Sequence, residues 1–117
     1  MIDLTRCKVL INEGLRCLTS SWTQEAKAKF KVAYVSSSSL TTFDDKLTIL
    51  VFSLYGLTLA SMLEKNRDDI MRYLDELHTA DQGSFNILFD KIENYLSNGW
   101  TEFEIASVAR QLINEYC

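Results

Sequence analysis

The residues that could do chemistry are few, and their spacing decides against most of what they could do. His78 is the single histidine, beside Thr79, Asp81 and Gln82. A histidine in the last turn of a helix interacts well with the carbonyl end, which accounts for it without catalysis. No Glu-x-x-His or His-x-x-x-His spacing is present, so no metal site is expected. Carboxylates stand in pairs at Asp44-Asp45, Asp68-Asp69 and Asp75-Glu76. Helical neighbours one apart point about 100° away from each other, so none of these makes an acid/base dyad. Two of the pairs sit at expected helix starts, where the helix dipole favours negative charge.

Nucleophiles and phosphate cradles fare no better. Cys7, Cys17 and Cys117 are odd in number and never in Cys-x-x-Cys spacing, which suggests neither a disulfide framework nor a zinc knuckle. Cys117 has no cationic neighbour in sequence to lower its pKa. Gly14, Gly56, Gly83 and Gly99 are isolated, so no glycine-rich phosphate loop exists. The expectation is a chain that is not an enzyme and takes no cofactor.

Charge and composition narrow the partners. The formal net charge of −4 carries no long run of either sign, against the basic face a nucleic-acid partner requires. Lys27, Lys29 and Lys31 come nearest to one, but alternating positions spread around a helix, so they read as solvated charge. At 117 residues, 47% apolar and 24% charged, one globular domain over 1–117 is expected. The first residues lack the basic start and apolar run of a signal peptide, and with the cysteine usage this predicts a cytoplasmic protein.

The elements that would position any site are helices. Proline is absent and apolar residues recur at spacings of three and four. Leu4, Cys7, Ile11, Gly14 or Leu15, and Leu18 predict a first helix, closed by Ser20-Ser21-Trp22-Thr23, whose hydroxyls, that of Thr23 among them, are candidate caps for the next. Ala26, Phe30, Ala33 and Tyr34 share a face of the second. Ser36 to Ser39 reads as a polar, mobile linker. A third helix starts at Thr41-Thr42-Phe43-Asp44-Asp45 and runs to about Lys65. Its stretch from Leu47 to Leu63 contains no charge; at 17 residues with five polar or glycine interruptions it falls short of a membrane span. It reads instead as the central helix of a bundle, with Leu50 and Leu54 both buried. A fourth helix presents Ile70, Tyr73, Leu74 and Leu77, and a fifth Phe85, Leu88, Phe89, Ile92, Tyr95 and Leu96, ended by Asn98-Gly99. In the last, Thr101 and Glu104 form a capping box, Trp100 and Ile105 a hydrophobic staple, and Ile105, Val108, Ala109, Leu112, Ile113 and Tyr116 a buried face. The fold class is therefore all-α: a bundle of about six helices in three hairpins, without β-sheet.

Two helix starts are alike, Trp22-Thr23-Gln24-Glu25 and Trp100-Thr101-Glu102-Phe103. Paired this way, the hairpins resemble tetratricopeptide-like repeats, in which aromatic and small residues mesh between neighbouring helices, and the resemblance implies stacked hairpins. The chain departs from that family in its irregular unit spacing and in lacking its small-residue and proline pattern. Ser84 to Leu96, SFNILFDKIENYL, is similar to a segment of the poxviral Bcl-2-like proteins. No functional residue is carried over from either.

Of the thirteen aromatic residues most are expected in the core. Trp22 and Trp100 at helix starts, and Phe103 off its helix's main stripe, are the expected anchors for a partner protein. A protein-interaction module, an adaptor or regulatory domain, is thus the leading expectation, with homo-oligomers allowed and no membrane insertion. The alternative is a binder of a small molecule or lipid, with a cavity lined by helix 47–63.

Overall fold

Short polar side chains hold the first amides of most helices. The computed structural model describes residues 3–81, 83, 86, 89, 90, 93, 94, 97, 99 and 101–116. Helix α1 spans Leu4–Thr19, with Asp3 accepting from the Arg6 amide at 2.9 Å. Helix α3, Phe43–Leu63, is capped by Thr42, which accepts from the Asp45 amide at 3.1 Å. Helix α4, Arg67–Ala80, is capped in the same way by Asn66 through the Asp69 amide at 3.1 Å. Helix α5, Glu102–Tyr116, starts on the expected capping box: the Glu104 amide donates to Thr101 Oγ1, and the Thr101 amide donates to Glu104 Oε1, each at 3.2 Å. Helix α2, Thr23–Ser36, is the exception, because its N-cap is Trp22, which makes no capping bond. The threonine expected as the cap is thus the first helical residue, and Ser20 and Ser21 belong to the end of α1.

The α1–α2 and α3–α4 connections are built alike. The Trp22 amide donates to the Cys17 carbonyl at 2.9 Å and the Ser21 amide to Leu18 at 3.1 Å. At the other turn the Asn66 amide donates to Ser61 at 3.0 Å and the Lys65 amide to Met62 at 3.1 Å. Both are Schellman turns, and each places a residue other than glycine in the left-handed region, Ser21 at φ 60° and Lys65 at φ 57°.

The all-α class is as expected, with five helices and no strand among the described residues. Two of the expected hairpins are present, α1 with α2 and α3 with α4. The third, between 85–96 and the last helix, falls largely on residues outside those described, as does Trp100. Helix α5 packs on α1 and more lightly on α3, with Ile105, Ala109 and Leu112 buried, as its sequence stripe predicts.

Helix α3 is the axis of the bundle. Ile49, Leu54, Leu57, Leu59 and Met62 are essentially inaccessible, and the α1, α2 and α4 stripes close around them. By length and composition α3 could cross a membrane, but 67% of its most apolar window is buried within the bundle. Thr58 and Ser61 return their hydroxyls to the Leu54 and Leu57 carbonyls at 2.7 and 2.9 Å. Buried Ser53 Oγ finds no hydrogen-bond partner among the described residues.

Two glycines explain how closely α1, α2 and α3 meet. The ring of Phe30, fully buried on α2, fills the space over Gly14 of α1 and Gly56 of α3. A Cβ on Gly14 would lie 2.7 Å from Phe30 Cε1, and one on Gly56 would come within 2.5 Å of Cε2 and closer still to Cε1 and Cζ. Absence of a side chain at both positions is what admits the ring.

Candidate interaction groove

An open concavity forms where α2 ends and α3 begins. Ser37–Ser39 make a single 3-10 turn, not the mobile linker that their polarity suggests. Their hydroxyls bond the preceding turn: Ser37 Oγ donates to the Tyr34 carbonyl at 2.7 Å, which also accepts from the Ser37 amide, and Ser38 Oγ donates to that of Val35 at 3.2 Å. Ser37 is thereby buried, and Leu40 follows it into the core.

This turn holds apart two apolar walls. Tyr34 and Val35 line one side, Phe43, Lys46, Leu47 and Leu50 the other, with Ser37 and Ser38 at the floor end, around an open groove of about 470 Å³. Phe43 is 75% exposed and Val35 69%. Leu50, expected to be buried beside Leu54, is only half-buried because it faces this groove. Phe43, expected in the core, stands at the first helical position, where its ring projects from the bundle's rim.

A smaller depression of about 220 Å³ adjoins it across Tyr34, which lines both. Lys31, Leu57, Arg72, Tyr73 and Glu76 complete its walls. The Arg72 guanidinium lies 4.8 Å over the Tyr73 ring and donates to its hydroxyl at 3.1 Å. Burial, and then the Glu76 carboxylate, raise the Tyr34 phenol above its ordinary value, so it remains a protonated donor at neutral pH.

The lysines of α2 are not all solvated charge. Lys27 Nζ lies 2.8 Å from Glu64, with only 14% of its side chain exposed, and Gln24 donates to the same carboxylate at 2.9 Å. The Glu64 hydrogen bond is the main reason that the Lys27 pKa is raised. Lys29 pairs with Glu13 at 3.0 Å. Lys31 alone of the three faces the trough.

The expected anchors are scattered. Trp22 is 60% exposed on the α1–α2 turn and Phe103 is 73% exposed in the first turn of α5. Neither lines the groove. Its own residues were missed because a stripe analysis assigns each helix one buried face. The available signal was a second α2 row, Lys31, Tyr34, Val35 and Ser38, at spacings of three and four.

The thiols of Cys7 and Cys17 are buried, and burial is the first cause pushing both pKa values up, with Asp3 adding for Cys7 and Glu25 for Cys17. Among the described residues no three metal-ligating side chains are grouped to hold an ion. His78 lies in the last turn of α4, in a shallow depression with Met71, Leu74, Asp75 and Phe89. No protein family, curated protein or solved structure matches the chain.

Proposed function

We propose that the chain is a non-enzymatic protein-interaction domain that receives a partner protein in the groove between α2 and α3. The observation that carries this reading is the pairing of an open apolar concavity with Phe43 and Val35, two large apolar side chains left in solvent at its rim. Exposed apolar patches rimmed by polar residues mark interaction surfaces, and aromatic side chains dominate their energetics. Trp22 and Phe103 are further contact points on this reading, and Trp100 with them by its sequence position. An adaptor or regulatory role in the cytoplasm fits the free thiols of Cys7 and Cys17. Segment 85–96 would complete a third hairpin with α5.

The test is site-specific photocrosslinking. With a benzophenone side chain at position 43, the folded protein in native extract is expected to capture a discrete partner that the same group at exposed Lys8 does not. Crosslinking at 43 no greater than at position 8 would overturn the reading.

One observation favours the second reading, a binder of a small molecule or lipid: about 470 Å³ lies within the range of ligand sites. Against it, only Leu47 and Leu50 of the 47–63 stretch line the groove, and most of the remainder is packed core. Saturable binding of an apolar dye that the Phe43 crosslink partner fails to displace would favour it.

A further inference from the structure

Resting on the proposed protein-binding groove, we infer that its partner is an acidic amphipathic helix. The two depressions form one trough, because Tyr34 lines both. On α3 it runs from Phe43 to Leu57, fourteen residues, or about 21 Å of helix rise. That length matches about four turns of a bound helix, enough for side chains at i, i+3 or i+4, i+7 and i+11 to form one apolar stripe. The end bordered by Val35, Phe43 and Leu50 takes the stripe's apolar anchors.

Charge selects the flanks. The chain is acidic overall, with formal net charge −4, yet the trough is lined by Lys31, Lys46 and Arg72 against one carboxylate, Glu76. Glu76 shares the smaller depression with the Tyr34 phenol and raises its pKa. Arg72 is engaged by Tyr73 and Asp69. Lys27 and Lys29 are spent on Glu64 and Glu13, whereas Lys31 and Lys46 are in no ion pair among the described residues. Asp44 and Asp45 follow Phe43 on α3 at about 100° and 200° around the helix, off the face formed by residues 43, 46, 47 and 50. A partner with carboxylates on both sides of its apolar stripe therefore meets two uncommitted ammonium groups. Concavity argues for a helix over a membrane surface, which is met by an apolar face lying flat on it.

Fluorescence anisotropy with the full chain tests this. The probes are two labelled peptides of about 14 residues, both with leucine at the stripe positions, one with glutamate on the flanks and the other with lysine. The glutamate peptide is expected to bind at least about tenfold more tightly, and less tightly in high salt. Lys31→Glu with Lys46→Glu should reverse the preference, with an unchanged melting temperature showing that the fold is intact. Equal affinity for both peptides, or a preference for lysine flanks, would overturn the acidic partner while leaving the groove a docking site. No binding by either peptide, together with absence of the Phe43 crosslink, would overturn both. Binding only to anionic lipid vesicles would replace the helix with a membrane.

Discussion

Substituting Gly56 by alanine adds one methyl group where the Phe30 ring of α2 lies against α3. In an ordinary helix interior the change is favourable by about 1 kcal/mol, because alanine loses less backbone entropy than glycine. Here the new Cβ would fall among three atoms of the Phe30 ring. The same end of the ring also lies against Gly14, where a Cβ would stand 2.7 Å from Cε1, so movement towards α1 is not open to it. Overpacking a closed site costs about 1–3 kcal/mol, and a fully buried ring in close contact with two helix backbones belongs at the upper end. Net of propensity, Gly56→Ala should destabilise by about 2 kcal/mol, or lower the melting temperature by roughly 8 °C. Urea titration followed by circular dichroism measures it. A second variant makes the cause specific: with Phe30→Leu in place, Gly56→Ala should become neutral or stabilising, a coupling of about 2–3 kcal/mol. Gly56→Ala at or above parental stability with Phe30 intact would refute the proposed fit of the ring between the two glycines.

Ser53→Ala removes a buried hydroxyl with no partner among the described residues and installs a better helix former, so stability should rise by about 1–2 kcal/mol in the same titration; a loss would mean that the hydroxyl is satisfied. Burial raises the thiol pKa of Cys7 and Cys17 in the folded state, so their contribution is fully present below about pH 8.5 and is lost as pH rises towards the folded values. Melting temperatures should therefore fall above that pH, less steeply after Cys7→Ala with Cys17→Ala, and equal slopes would contradict the cause. Trp22→Asn gives α2 the cap that Asn66 gives α4, and should raise stability by about 1 kcal/mol; a lower melting temperature would show that the indole supports the fold.

What was legible in the sequence is what local rules determine. The helix class, the Thr101–Glu104 box and the burial of Leu54 follow from period and capping chemistry, and each is present. What was illegible depends on which helices meet. Lys27 and Lys29 looked solvated because their carboxylates, Glu64 and Glu13, are 37 and 16 residues away. The serine run reads as mobile by composition, and what orders it is a pair of hydroxyl bonds to carbonyls of the preceding turn. Phe43 and Val35 lie off their helices' main stripes, a pattern that says a residue is outside the core but not that two such residues share a groove. The glycines Gly14 and Gly56 were read only as the absence of a phosphate loop, when their role depends on one ring from a third helix.

Geometry also separates the two kinds of candidate contact. Gln24 and Lys27, near the start of α2, bond Glu64 at the end of α3, while Tyr34 and Val35, near the end of α2, share a groove with Phe43 and Leu47. The helices are therefore antiparallel, and Trp22 and Phe43 stand at opposite ends of the pair. Helix α3 has 21 residues, so at 1.5 Å each that separation is about 31 Å. A standard interface buries about 800 Å² per partner, a patch roughly 32 Å across, and its energy concentrates near the centre. Trp22 and Phe43 can both lie in one such patch only at opposite rims, where neither would dominate. If the groove is the centre, as its concavity and two uncommitted lysines argue, then Trp22→Asn should leave capture at position 43 nearly intact while Phe43→Ser abolishes binding. Loss of the same partner through both substitutions would require a ligand running the full length of the α2–α3 pair, about 10 Å longer than the four turns that the trough accommodates.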